Sequence, residues 1–208
     1  MALDAYTSMV TAISSNWMHR SDLATVTDDF IDLFESEFNA DMRVRQMEQS
    51  TSIVSTSGYL IHPTQWRQWK VLKLSANGRT YNLAPITEES QAINLGGDSG
   101  GDPTNYKVRG DKTYLYPAPS SAATVDAVYY ESVTSLSTSN SSNWLLASYP
   151  GAYLFGSLSE AAPYVVDDPR VPLWKQKQLE ILNKIRLDSE RSERGSQVQI
   201  MKTDGQGY

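Results

Sequence analysis

The chain holds 208 residues with 18 basic and 24 acidic side chains, a net charge of -6, and 40% hydrophobic and 10% aromatic content. A chain of this length and composition is an ordered globular one, able to bury about 70% of its extended surface. The lack of cysteine excludes a disulfide scaffold, a thiolate zinc site and a cysteine nucleophile; the two histidines leave little for an imidazole metal site, and the acidic balance argues against a protein whose task is to grip phosphates.

The first ten residues contain Asp4 and no basic residue, so no secretory signal is expected. No apolar run approaches the roughly 20 residues needed to span a bilayer. Leu3, Tyr6, Val10, Ile13 and Trp17 recur at helical spacing and predict one apolar stripe over residues 3–17. Thr27 precedes Asp28 and Asp29, which suit the positive end of a helix. Phe30, Phe34 and Phe38 then repeat every four residues, and with Met42, Arg43, Arg45 and Met47 they predict a long helix over about 28–48.

From Ser50 onward the text becomes β-prone, in short pieces at 53–54, 59–61, 69–74, 81–86, 106–109, 113–116 and 125–130. Asn77-Gly78 and Gly110-Asp111 are hairpin turns by composition. Lys70, Leu72 and Leu74 would face one way and Val71 and Lys73 the other, a mixed pattern. Pro117 and Pro119 end a strand, because proline cannot donate to a ladder. Residues 132–142 are a Ser/Thr/Asn linker. Helix returns with Pro150 at an early position, a face of Leu154, Phe155, Leu158, Ala161, Ala162 and Val165, and a break at Pro163. After Asp167-Asp168-Pro169 a last helix runs over about 172–191 with the stripe Trp174, Gln178, Ile181, Leu182 and Ile185. The polar tail after residue 192 carries a small apolar patch of Val198, Ile200 and Met201, suited to an arm that orders on a partner.

The expected fold class is α+β: a helical bundle from the N- and C-terminal helices, a β-rich insertion between them and an extended C-terminal arm. The expected divisions are 1–49 and 143–191 for the bundle, 50–142 for the insertion with its linker, and 192–208 for the arm.

Candidate chemistry is sparse. Gly97-Asp98-Ser99-Gly100-Gly101 copies the nucleophile segment of chymotrypsin-like proteases, but a triad needs a histidine base oriented by a carboxylate, and His62 lacks that context. Glu35 and Glu37 are two apart on a helix and do not share a face, so a solvated surface is expected for them rather than a glycosidase pair. His19 and His62 lack metal spacing. Trp66, Trp69, Tyr129 and Tyr130 could stack on bases but have few arginines among them, so core or interface is expected. The glycines over 96–101 lack the Lys-Ser/Thr pair of a phosphate loop. No catalytic residue, cofactor or metal is therefore expected.

Two blocks in consistent order carry a resemblance. One is Asn16-Trp17-Met18-His19-Arg20-Ser21-Asp22-Leu23 running into the phenylalanine helix with Arg43 and Met47. The other is Asn143-Trp144-Leu145-Leu146-Ala147-Ser148-Tyr149-Pro150, then Tyr153-Leu154-Phe155-Gly156-Ser157-Leu158-Ser159-Glu160-Ala161-Ala162 and Trp174. Tyr114-Leu115-Tyr116-Pro117-Ala118-Pro119 and Val128-Tyr129-Tyr130 lie between them. Over residues 5–190 the chain resembles the head-to-tail adaptor (connector) proteins of short-tailed and related phages. The resemblance implies a structural virion protein in the neck, assembled in the host cytoplasm as a ring of twelve copies. It implies as partners the portal protein, a tail nozzle or hub, further copies of the chain, and double-stranded DNA passing through the lumen unbound. It also implies a C-terminal arm that docks at the portal, which Val198, Ile200 and Met201 suit. The competing expectations are a virion-associated peptidoglycan hydrolase using Glu35, and a head-completion or tail-terminator protein.

Overall fold

A computed structural model of the protein describes residues 3–76, 79–88, 100–165 and 168–193. The fold is mixed α+β and divides into two compact units. One takes in the described residues of Met1–Gln46 and Val133–Tyr208; the other is Met47–Ser132.

In the first unit, helix α1 (Tyr6–Thr11) runs on through a π-helical turn, Ala12–Trp17. Met18 N–H reaches back five residues to Ile13 O at 3.0 Å. The expected stripe is only partly kept. Tyr6 and Ile13 are buried, joined by Met9, Ala12 and Met18, while Val10 is half-buried and Trp17 is 38% exposed. The wider turn adds a residue to the helical repeat, so a side chain placed by the 3.6 period rotates off the line. Trp17 packs edge-on against Phe155, ring centroids 5.3 Å apart.

Helix α2 (Thr27–Asp41) buries Phe30, Ile31, Phe34 and Phe38, as the spacing predicts, with Asp28 and Asp29 in its first turn. It stops at Asp41, seven residues short of the expected end, because Met42 turns extended (ψ 136°). Arg43 Nη1 closes the terminus by donating to the carbonyls of Asn39 (2.9 Å), Ala40 (3.4 Å) and Met42 (2.6 Å). A cation at the negative end of a helix is favourable and satisfies carbonyls that lack an intrahelical donor. Met42 and Val44 are buried outside any helix and Met47 in a single 3-10 turn, Arg45–Met47, so the apolar spacing that predicted more α-helix has another use.

Three helices follow the linker: α3 (Trp144–Ser148), α4 (Pro150–Glu160) and α5 (Val171–Glu193). Pro150 occupies the first helical positions of α4, and the helix ends before Pro163. Packed against both α2 and α5, α4 is buried beyond its expected face, including Ala152, Tyr153, Gly156, Ser157 and Ser159. On α5, Trp174, Gln178 and Ile185 are buried as expected; Ile181 and Leu182 are half-buried.

The second unit holds two four-stranded sheets. Strands β1 (Glu48–Val54), β8 (Thr124–Glu131), β3 (Trp66–Ala76) and β4 (Arg79–Asn82) form one in that order, all antiparallel. Strands β2 (Tyr59–Ile61), β7 (Lys112–Tyr116), β6 (Asn105–Arg109) and β5 (Ala84–Pro85) form the other, with β5 parallel to β6. The stretch 81–86 is thus shared between the two sheets, divided at Leu83. Leu60 and Leu115 of one sheet and Trp69, Leu72, Leu74 and Val125 of the other lie in a single core. Gly110 takes φ +58° at the first of two hairpin positions, where a type II′ turn wants glycine. The mixed text of β3 resolves through a register shift between Trp69 and Val71: Trp69 opposes Tyr129 and Leu72 opposes Ala127. Lys70 is the extra residue of that bulge and is exposed, so it does not share the face of Leu72 and Leu74. Asn77-Gly78 lies outside the described residues.

Candidate functional site

The helical unit encloses a polar knot. Glu35 is 3% exposed on α2, so the solvated surface expected for it is not where it lies. Its Oε1 accepts from the backbone N–H of Leu136 at 2.9 Å and from the Tyr153 hydroxyl at 2.8 Å. Asn143 Nδ2 donates to the Tyr153 oxygen at 2.7 Å and to Thr134 O at 2.8 Å, while Asn143 Oδ1 accepts from Leu146 N–H at 2.9 Å and caps α3. One helical turn along, Asn39 Oδ1 accepts from Val133 N–H at 2.8 Å. Val133 and Leu136 are buried in turn. The Ser/Thr/Asn stretch is therefore a strap tied to α2 at two points, and residues 133–142 fall with the helices.

Burial pushes the Glu35 carboxyl above its ordinary range, against the opposing pull of hydrogen bonds from Leu136, Tyr153 and Ser135. Its Oε2 is buried without a hydrogen-bond partner among the described residues. Burial and the Glu35 charge likewise drive the Tyr153 hydroxyl far up, so it stays a donor. A carboxyl sealed in this way cannot reach a glycosidic oxygen, and Glu35 is no general acid for an external polysaccharide.

On the same unit, α2, α4 and α5 line an open cleft of about 440 Å³. Phe34, Phe38 and Met42 are its buried floor, and Leu179 stands at its side, 62% exposed. Three carboxylates (Glu37, Asp41 and Glu160) face it with one cation, Lys175. Gln178 Nε2 donates to Glu37 Oε2 at 3.0 Å, and Arg186 pairs with Asp41. The Glu160 carboxyl is raised by burial and by the Glu37 charge, which Lys175 only partly offsets.

In the β unit His62 stacks on Trp66, centroids 3.7 Å apart, and meets Trp69 edge-on. Buried Thr113 accepts from Trp69 Nε1 at 2.7 Å, and its oxygen lies 2.8 Å from His62 Nε2. Burial lowers the His62 pKa despite the Asp111 charge, and a neutral ring lets Nε2 accept the Thr113 proton. Trp69 and Tyr129 are core residues, and Tyr130 is half-buried with Lys70 over its ring. His62 is thus an aromatic packing partner, and His19 is exposed at φ +56°. Among the described residues no group of three or more His, Asp or Glu could hold a metal, and no helix is long and apolar enough to cross a membrane. Ser99, the rest of the 96–99 glycine stretch, and Val198, Ile200 and Met201 lie outside the described residues.

Sequence reasoning missed Asn39, Asn143 and Tyr153. Only Asn143 carried a local signal: an Asn three residues before Leu146 at a helix start is an N-cap pattern. It also passed over the cations around Gly110-Asp111: Lys107, Arg109 and Lys112 lie on one hairpin, Arg109 over the Tyr114 ring (5.4 Å) and Lys112 over the Tyr59 ring (4.5 Å).

No curated protein matches the chain. Residues 5–200 match the model of the family described as SU10 adaptor protein.

Proposed function

Because this chain belongs to the SU10 adaptor protein family, we propose that it is the structural head-to-tail adaptor of a tailed phage, a ring of copies joining the portal to the tail. The match over residues 5–200 carries this reading, since it covers both units and not one motif. A net charge of -6 supports it: a channel through which DNA must slide is better lined by a surface that does not retain phosphates. A closed ring also needs two different, mutually complementary faces on each subunit. The helical and β units offer chemically distinct surfaces for that purpose.

In this reading the ring has twelve copies, its lumen passes double-stranded DNA, and its far face receives the tail nozzle or hub. The β-rich stretch acts as an insertion in a bundle built from the two ends of the sequence. The tail after residue 192 is the portal-docking arm, with Val198, Ile200 and Met201 as its anchors. Deleting residues 195–208 is expected to leave a soluble subunit with an unchanged far-ultraviolet spectrum that no longer attaches to portal-bearing heads. Undiminished attachment would discard the arm. A cryo-electron-microscopy map of the neck tests the whole: this chain must fit a ring between portal and tail, and a neck whose density excludes it refutes the assignment.

A further inference from the structure

Resting on the ring reading above, we infer that neighbouring copies join by sheet extension: the open edge of β1 in one copy pairs, antiparallel, with the open edge of β4 in the next.

The four edge strands of the two sheets are not alike. An exposed edge ordinarily carries a device that stops another strand from adding: shortness, a proline, a cation or a bulge. Strand β2 has three residues, β5 has two and includes Pro85, and β4 has four and opens on Arg79. Strand β1 has seven, without proline or cation, and its register with β8 runs without a bulge. Its one charge, Glu48, stands at the first position and pairs with Lys70. Ser55 N–H donates to Ala123 O at 2.8 Å. Counting back by twos, Ile53, Thr51 and Gln49 make the ladder with β8, and Ser50, Ser52 and Val54 turn their N–H and C=O groups away from it. Those outward groups form no hydrogen bond among the described residues.

The opposite edge of the same sheet is the strand that fits. Four alternating strands leave β1 and β4 running in opposite directions. A copy set alongside in the same orientation therefore offers β4 antiparallel to β1, with its core face on the same side. Leu83 N–H donates to Leu72 O at 2.8 Å. By the same count Tyr81 and Arg79 bond to β3, and Thr80 and Asn82 face outward. Two rows cross the sheet level: Ile53, Val125, Leu74 and Tyr81 on the core face, and Ser52, Asp126, Lys73 and Asn82 on the other. Kept level into the next copy, they set Asn82 opposite Ser52 and Thr80 opposite Val54, pairs that exchange both backbone bonds. Tyr81 then meets Ile53. These two are the half-buried ends of the core row, and an aromatic beside a β-branched residue is a stabilising cross-strand pair. Val54, 58% exposed, is covered as well. Two copies of β1 pairing about a two-fold axis would stop at a dimer, whereas β1 on β4 is a head-to-tail contact that propagates and closes into a ring.

The lack of cysteine in the chain makes the test direct. Within one copy Ser52 and Asn82 stand three strand spacings apart, about 14 Å, and a disulfide needs Cα atoms within about 7 Å. Between paired copies the same two positions are about 5.5 Å apart. Particles carrying Ser52→Cys with Asn82→Cys, oxidised and run without reductant, are expected to give a ladder of covalent multimers beyond the dimer, and neither single variant any. In a second arm, Ser52→Pro removes an outward N–H and keeps the ladder with β8. That subunit should retain its circular dichroism spectrum and lose self-association. A dimer from Ser52→Cys alone would give the edge to two-fold pairing, and a cross-link from it to another virion protein would give the edge to that partner. Self-association unaffected by Ser52→Pro would leave the edge unused. Each of these overturns the inference. An amine-reactive cross-linker on wild-type particles separates its failure from that of the ring. Multimers without the disulfide ladder refute the edge contact and leave the ring; no multimers at all refute the ring, and the edge contact with it.

Discussion

Gly156 sits in the middle of α4 where α2 comes closest, and a Cβ built there would collide with the Phe34 ring at Cδ2, Cε2 and Cγ. Phe34 has no room to yield. It is fully buried, with Tyr153 edge-on at 5.3 Å and Phe38 at 6.0 Å between ring centroids. Gly156→Ala therefore sets two effects against each other. Replacing a mid-helix glycine gains about 1 kcal/mol of helix propensity. Forcing a methyl into a packed core costs about 1–3 kcal/mol, and contact with three ring atoms puts this site at the upper end. The balance is a loss of about 2 kcal/mol, which for a chain of this size lowers Tm by about 4–8 °C. Thermal and urea unfolding followed by circular dichroism would read it. Phe34→Leu in the same chain should recover part of the loss, because the two sites share one contact and their effects cannot add. A Gly156→Ala protein as stable as the wild type, or strict additivity in the double variant, would refute the close approach of α2 and α4.

Two further outcomes concern the knot around Glu35. Its carboxyl is raised from the ordinary 4.5, so the fold binds that proton more tightly than the unfolded chain does. The stability it contributes is full below the ordinary value and is lost as pH rises through the raised one. Glu35→Gln keeps an oxygen for Leu136 and Tyr153 but does not titrate. The stability difference between variant and wild type should accordingly shift in favour of the variant as pH is raised from about 4 to 7; a pH-independent difference would contradict a raised carboxyl. Asn143→Ala removes the α3 cap and the donor to Tyr153 and Thr134. A loss of about 1–3 kcal/mol in urea unfolding is expected, and Asn143→Asp, which keeps the cap but not the donor, should recover only part.

Much of the architecture is legible without coordinates. Phe30, Phe34 and Phe38 mark a helix face because one period brings them together. Gly110-Asp111 marks a hairpin because few residues accept its backbone, and Pro163 marks an end because it cannot donate. These are short-range constraints, complete within a few neighbours. Where α2 stops is different: Met42, Val44 and Met47 satisfy either a longer α-helix or a chain that leaves it at Met42 and buries them through an irregular segment and a 3-10 turn, and Arg43 reaching back over the last carbonyls decides for the second. The bulge at Lys70 and the π turn before Met18 are likewise single-residue insertions that a regular period cannot show.

The function was readable only as a family resemblance spread over ordered blocks, since an adaptor works through surfaces and no short motif encodes one. Glu35 makes the same point in one residue. On the sequence it is one more acid in a charged helix, and nothing within a few turns says otherwise. Its burial is set by Leu136, 101 residues away, and Tyr153, 118 residues away. Periodicity tells which way a side chain leaves its own element; whether water or a distant hydroxyl waits there depends on packing between segments far apart in the chain.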